Sequence, residues 1–356
     1  MAKASSDNLR RASAVKNDEF YTRLVDIEKE LKHYKDQFRN KVVYCNCDDP
    51  FEINFFKYFA ANFKALGLKK LIATSYKPSP VANTQLRLFG DDKTLEPKKG
   101  RPKVNANKFI ITDVGDLDGD GAFDLKDVAE QLKANKNNEW TPLDGEGDFR
   151  SPESIELLKQ ADIVVTNPPF SLFREYLSQL VEHKKDFLII GNKNAFSFQG
   201  VFKLMQDNNI WTGYTSPGQF LTPDGGLTKK VQGLTRWFTN LDVAKRHEFL
   251  TLYKKYTPNE FPKYDNYNAI EVSKVSEIPI DYDGVMGVPI TFFDKYNPKQ
   301  FEILGITDRD PDNEYRTKLY SREDSPKYND LNRRAAIKIK NGLKPTYARL
   351  LIKAKK

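Results

Sequence analysis

Four consecutive residues, Asn167-Pro168-Pro169-Phe170, carry groups suited to one kind of chemistry. The apolar run Ile163-Val164-Val165 ahead of them predicts a buried parallel strand. Neither proline has an N–H to give to a sheet ladder, so the strand must stop there. The two prolines then form a rigid loop at the carboxyl end of that strand, where open α/β sheets bind ligands. The loop offers the neutral amide of Asn167, forward-facing backbone carbonyls and the ring of Phe170. These can accept the two N–H bonds of an exocyclic amino group and stack the ring that bears it. An amide is no general base, so the loop would act by positioning and polarisation. Asn-Pro is also a common turn starter, but the apolar strand in front and the aromatic behind favour the chemical reading.

Such a loop needs a sheet to hold it. Val42 to Cys45 reads as a strand entering the turn Asn46-Cys47-Asp48-Asp49-Pro50. Next comes a helix bearing Phe55, Phe56, Phe59 and Phe63, closed by Gly67, and then a strand at Lys69 to Tyr76. This β-α-β order implies a parallel, right-handed unit. Before it, an amphipathic helix runs to about Phe38 with Leu24, Ile27, Leu31 and Tyr34 on one face. The rhythm resumes at Ser151 with helix Pro152 to Gln160, the strand before Asn167, helix Leu172 to Glu182, a strand at Phe187 to Ile190 and a helix at Val201 to Asn208. The chain ends in an alternating strand, Tyr347 to Lys353, with a basic tail. These elements predict a basic arm at 1–17, a catalytic domain at 18–240 with an insertion at about 78–147, and a further region at 241–356.

Composition narrows the class. A chain of 356 residues can bury a full core. Fifty-seven Lys and Arg against 49 Asp and Glu give a net charge of +8, which favours an anionic partner. No apolar run is long enough for a bilayer span, and the polar N-terminus lacks a signal peptide. Cys45-x-Cys47 and the scattered His33, His183 and His247 do not complete a zinc site. A reduced, cytoplasmic enzyme without zinc is the expectation.

The insertion carries three patterns. Asp116, Asp118, Asp120, Asp124 and Asp127 fall at positions 1, 3, 5, 9 and 12 of a calcium loop, with glycine at position 6. Position 12 is Asp rather than Glu, as in dockerin-type loops. The segment either binds a structural Ca2+ or persists as an acidic turn. Gln85-Leu86-Arg87-Leu88-Phe89 resembles the peptide that partners of the bacterial replication sliding clamp insert into it; the plainer reading is a strand with alternating leucines. Pro97-Lys98-Lys99-Gly100-Arg101-Pro102-Lys103 resembles an AT-hook, or is a solvated basic loop.

The wider pattern resembles a known family. Asp18 to Thr22 (DEFYT), Val42 to Pro50 (VVYCNCDDP), Gly147 to Ser151 (GDFRS), Asp162 to Phe170 (DIVVTNPPF), Arg236 to Leu241 (RWFTNL) and Asp281 to Pro298 occur in one order. Together they are similar to the EcoRI-type adenine-specific DNA methyltransferases, over most of residues 17–307 and the final strand. The resemblance implies an α/β, Rossmann-like sheet that uses S-adenosyl-L-methionine, with an inserted subdomain and a C-terminal target-recognition region. It implies methylation of N6 on an adenine flipped out of duplex DNA, in a restriction-modification or phage/host DNA-protection setting. Asn167 and Pro168 would accept the amino N–H bonds, with Pro169 stiffening the loop and Phe170 stacking the base. Phe20, Tyr21 and Thr22 would help hold the methionine end of the cofactor; the cofactor-binding turn from Asn46 to Pro50 would replace the usual glycine-rich loop, with Asp48 or Asp49 pairing with the ammonium group. Asp148 would accept from the cofactor's adenine, beside Phe149. For Asp48-Asp49-Pro50 the competing reading is a plain helix N-cap. Trp237 and Phe238 either wall the base pocket or pack the core. The chain departs from most such enzymes in lacking a clear G-x-G after the first strand and an acid at the end of the second. Lys229, Lys230, Arg236, Lys245, Arg246, Arg333 and Arg334 are candidate DNA contacts. The competing functions are N-methylation of RNA or of a protein glutamine, and a catalytically idle DNA-binding module.

Overall fold

A computed structural model describes residues 21–47, 54–75, 106–115, 138–221, 226–229, 233–308, 313–340 and 342–355. Phe20, Asp48, Asp49, Lys230, the aspartates of the 116–127 loop and the peptides at 85–89 and 97–103 lie outside them. The fold is mixed α/β, and contacts divide the chain into two units, Met1–Lys193 with Gly213–Asp242 and Asn194–Thr212 with Val243–Lys356. The segment 194–212, assigned by sequence to residues 18–240, thus packs with the second unit.

In the first unit, strand β1 (Tyr21–Thr22) leads to helix α1 (Leu24–Leu31). Strand β2 (Val42–Cys45) is followed by helices α2 (Asn54–Ala61) and α3 (Phe63–Leu66) and strand β3 (Lys70–Thr74). Strands β4 (Asn107–Ile111) and β5 (Asn138–Pro142), helix α4 (Pro152–Gln160) and strand β6 (Ile163–Thr166) come next. Helix α5 (Phe173–Glu182), strand β7 (Asp186–Asn192), strand β8 (Phe220–Leu221) and strand β9 (Thr235–Thr239) complete it. The sheet order in this unit is β5-β4-β3-β2-β6-β7-β9. The centre, β3-β2-β6-β7, is parallel, and β4, β5 and β9 add antiparallel strands at the sides. Two pieces of the stretch read as an insertion, β4 and β5, therefore extend the main sheet.

Burial explains these elements. Every residue of β2 and of β6 is buried, as helix-covered parallel strands require. Helix α5 buries Phe173, Tyr176, Leu177 and Leu180, a single stripe at helical spacing. Helix α4 begins where the Ser151 hydroxyl accepts from the Ser154 amide at 3.1 Å, with proline in its first turn. Asp162 ties the strand entrances together. Its carboxylate accepts from the Val42 amide at 2.8 Å, and its carbonyl accepts from the Asp186 amide at 3.2 Å.

Glu30, on α1, is fully buried. Its carboxylate accepts from the Tyr34 hydroxyl (2.8 Å), the backbone amides of Tyr214 (2.7 Å) and Thr215 (2.6 Å), and the Thr215 hydroxyl (2.6 Å). A buried carboxylate is tolerable only with such partners. Burial, and then the Glu30 charge, push the Tyr34 phenol far above its ordinary pKa, so it stays a donor. A Cβ on Gly213 would lie 2.1 Å from Glu30 Oε1, so only glycine lets the chain pass. Glu30 thereby fixes the segment that runs on into β8.

The second unit holds helix α6 (Gln199–Gln206) and a four-stranded sheet. Its strands are β10 (Ile270–Glu271), β11 (Met286–Pro289), β12 (Phe301–Ile306) and β15 (Arg349–Ala354), in the order β10-β11-β15-β12. Helix α7 (Tyr328–Arg333) precedes a separate ribbon of β13 (Ala336–Ile339) and β14 (Gly342–Pro345). Much of the remainder is irregular but buried, through Phe261, Tyr264, Tyr267, Phe292 and Phe293.

Candidate active site

The Asn167–Phe170 loop leaves β6 at the carboxyl end of the parallel strands. The Thr166 hydroxyl donates to the Asn46 carbonyl, joining the ends of β6 and β2. The Asn46 side-chain oxygen in turn accepts from the Tyr176 hydroxyl on α5. Cys47 takes a left-handed backbone (φ 64°), so the chain turns sharply just after β2. Pro168 is buried, while Asn167, Pro169 and Phe170 are half-buried. The Pro169 carbonyl accepts from the Leu172 amide at 2.9 Å and starts a short 3-10 turn that feeds α5. The loop is therefore braced by Asn46 on one side and by its own helix on the other.

Phe170 meets Phe220 edge to face, with centroids 6.3 Å apart. Phe220 lies in β8, paired with β1 so that Thr22 stands opposite it. The Thr22 carbonyl accepts from the Asn54 side chain at 2.7 Å, and its buried hydroxyl meets no hydrogen-bond partner among the described residues. Phe220 thus links the Asn-Pro-Pro-Phe loop to Tyr21-Thr22, which are 145 positions away in sequence for Thr22 and Asn167.

Residues 147–150 close a third side. Gly147 has φ +78°, and a Cβ there would meet the Ser75 carbonyl oxygen at 2.0 Å, so the chain crosses directly over the end of β3. Phe149 is buried edge-on against Tyr176 at 5.0 Å, and its carbonyl accepts from Gln179 at 3.0 Å. Tyr176 therefore touches both Asn46 and Phe149. The Asp148 carboxylate is held by the Arg150 guanidinium, Nε to Oδ1 at 3.0 Å and Nη2 to Oδ2 at 2.8 Å; Arg150 also reaches Glu175 at 3.1 Å. The Asp148 hydrogen bond, outweighing partial burial, raises the Arg150 pKa, so the fork is permanently charged. Oδ1 also accepts from the Arg150 backbone amide at 3.0 Å, and Arg150 Nε lies 3.3 Å from Oδ2, so Arg150 contacts both oxygens twice.

Phe220 thus connects Thr22 to Phe170; Asn46 and Tyr176 connect Thr166 to Phe149; and the loop from Thr166 to Phe170 joins the two sets. Sequence reasoning did not single out Phe220, Tyr176, Arg150 or Glu30. Tyr176 lies on the apolar stripe of α5 and reads as core. Arg150 beside Asp148 carried a signal, an acid and a base flanking an aromatic. Trp237 and Phe238 are core residues: both are fully buried, Trp237 edge-on to Phe55 at 5.9 Å and Phe238 against Phe173 at 5.0 Å.

One candidate DNA contact needs correction. Arg246 is buried, its guanidinium 3.5 Å from the Trp211 ring centroid and hydrogen-bonded to Asn208, so it is a core cation. Arg334 pairs with Asp308, and Arg236 donates to Ser216 and the Thr235 carbonyl. No group of three or more His, Cys, Asp or Glu that could hold a metal occurs among the described residues, and no helix among them is long and apolar enough to cross a membrane.

The α/β sheet and its strand-end loop place the protein in the methyltransferase class. Residues 8–355 match the model of the family described as adenine-specific methyltransferase EcoRI. The chain belongs to that family. It is 44% identical over 333 residues to the Type II methyltransferase M.EcoRI of Escherichia coli, covering 86% of this chain and 92% of that protein. It is 38% identical over 314 residues to the Type II methyltransferase M.MpnI of Mycoplasma pneumoniae, covering 83% and 84%. No solved structure matches the chain significantly.

Proposed function

We propose that the protein transfers a methyl group from S-adenosyl-L-methionine to N6 of an adenine flipped out of duplex DNA, as the modification arm of a restriction-modification system. The observation that carries this reading is the loop Asn167–Phe170, fixed at the end of a fully buried parallel strand by the bond from Thr166 to Asn46. The cofactor supplies a sulfonium methyl when bound. The residues present suit it: a buried Thr22 hydroxyl with no partner among the described residues, and an Asp148 carboxylate fixed by Arg150 beside the buried Phe149. Tyr21, Thr22 and Asn46 would hold its amino-acid end, and Asp148 with Phe149 its adenine. The first unit would then be a Rossmann-like cofactor sheet, entered at the carboxyl ends of β2, β3 and β6.

The amino nitrogen of adenine is a weak nucleophile because its lone pair is delocalised into the ring. Asn167 Oδ1 and the Pro168 carbonyl would accept its two N–H bonds, drawing the lone pair out of conjugation and aiming it at the methyl. Phe170 would stack on the extruded base, itself backed by Phe220. The rest of the acceleration is positioning, which the braced loop provides. Single-turnover methyl transfer into DNA tests this. Asn167→Ala and Phe170→Ala should each lower the rate by a factor of about 100 or more while donor affinity is largely kept. Rates within twofold of wild type for both variants would remove the loop from the mechanism, and methyl incorporation into RNA or protein instead of DNA would replace the substrate.

A further inference from the structure

Among the described residues the ribbon β13–β14 is a two-stranded sheet, touched from outside by an isolated bridge between Tyr264 and Ile337. An isolated hairpin is marginally stable in water, so its base must be held. Asn266 does this: its Oδ1 accepts from the Ala336 amide at 2.8 Å, and its Nδ2 donates to the carbonyls of Leu331 (3.2 Å) and Arg334 (2.9 Å). The Asp265 amide donates to the Ala336 carbonyl at 2.8 Å. Ala336 is fully buried with Tyr320 and Leu331, and Leu343 packs on that cluster. Thr346 closes the base by donating to the Ala335 carbonyl through its amide (2.8 Å) and its hydroxyl (3.0 Å).

The far end differs. Lys338, Ile339, Lys340 and Lys344 are exposed, the Lys338 side chain at 79% and Ile339 at 47%. Ile339 stands opposite Gly342, so no cross-strand side chain covers it. From Leu331 to Lys356 the chain has nine Lys and Arg and no Asp or Glu, so the ribbon sits in the most one-sided charge run of the sequence. A rigidly rooted ribbon with a cationic, partly apolar end needs a polyanion with a groove. The DNA major groove, about 12 Å wide, admits a two-stranded β-ribbon.

We infer that this ribbon is a DNA-reading element, with Lys340 and Lys344 on phosphates and Ile339 facing a base edge, the thymine methyl being the apolar feature offered there. The inference rests on the proposed DNA substrate and is testable apart from it. Long-read sequencing of DNA from cells expressing the wild type gives the methylated site, and a duplex carrying that site is the probe. The full-length Lys340→Ala/Lys344→Ala variant should bind it about tenfold or more weakly, with the salt slope of log affinity reduced by about two. Lys340→Arg/Lys344→Arg should restore both. Ile339→Ala should narrow the gap between site-bearing and scrambled duplexes while affinity for the scrambled duplex stays unchanged. Equal melting temperatures establish that the variants fold. If wild type methylates the duplex and all variants keep its affinity, slope and selectivity, the ribbon does not read DNA. If wild type neither binds nor methylates DNA, the substrate reading itself falls, and the ribbon's role with it.

Discussion

Each unit buries a glutamate, and the two are neutralised in opposite ways. Among the described residues, Glu30 in the first unit is met by neutral donors: two backbone amides and two hydroxyls. Glu271 in the second is met by a cation. Arg349 Nε lies 3.1 Å from both its oxygens and Nη2 lies 2.6 Å from one, while the Tyr264 hydroxyl donates to the other. A carboxylate held by backbone amides dictates the path of a loop. A carboxylate held by a guanidinium joins two strands. Glu30 therefore acts on the 213–221 segment that carries Phe220 to the site. Glu271 instead fixes β10 to β15, across 78 positions of sequence. Burial alone would lower the Arg349 pKa, but the Glu271 hydrogen bonds and charge leave it raised, so the guanidinium stays charged.

The largest effect should come from splitting the ion pair. Arg349→Met leaves the Glu271 charge buried without its cation and should cost about 3–5 kcal/mol of stability. The double variant Glu271→Leu/Arg349→Met removes both charges and should recover most of that loss. Denaturant melts decide it. A double variant as unstable as the single one would mean that shape, not charge, is what the pair supplies.

Glu30→Gln should cost less, about 1–3 kcal/mol, because an amide nitrogen replaces one acceptor while the neutral donors keep other options. Its signature is local. Hydrogen exchange at the Tyr214 and Thr215 amides should speed up well beyond the rise that the global stability loss produces. Unchanged relative protection of those two amides would show that Glu30 does not order the segment.

The same contrast explains what could be read from the sequence. The strand before Asn167, the strand Val42–Cys45 and the helix from Pro152 were legible because local signals agree: apolar runs, a double proline and a Ser-Pro cap. The strands Asn107–Ile111 and Asn138–Pro142 were hidden in a polar, Gly- and Pro-rich stretch, since five residues of strand cannot outweigh such flanks. Glu30 reads as a solvated helix residue, and Arg246 as a surface cation. Their burial depends on Thr215 and Trp211, partners fixed only by the tertiary fold. For the site, the Asn-Pro-Pro-Phe loop was visible as a unit, whereas Phe220 was not. Its role arises from a two-residue pairing with Tyr21-Thr22, far away in sequence.

Asp265 sharpens the comparison at its small end. It is a mostly buried carboxylate met by outside cations: Lys318 at 2.5 Å and Lys338 at 3.2 Å, besides the Tyr320 hydroxyl at 2.8 Å. Burial pushes its pKa up, but the hydrogen bonds from Lys318, Tyr320 and Lys338 outweigh that and leave it below the ordinary aspartate value. A carboxylate whose folded pKa is depressed stabilises the fold above its unfolded pKa, about 3.9, and that contribution disappears as pH falls through the lower folded value. Because both lysine side chains are largely in water, the charge contribution should stay below about 1 kcal/mol. Asp265→Asn should therefore melt slightly lower than wild type at neutral pH, with the gap closing as pH falls below about 4. Raising the salt at neutral pH should narrow the gap too, since water-exposed cations are screened. A gap that persists undiminished in acid and in salt would mean that Asp265 works through hydrogen-bond geometry alone. It would then belong with Glu30 rather than with Glu271.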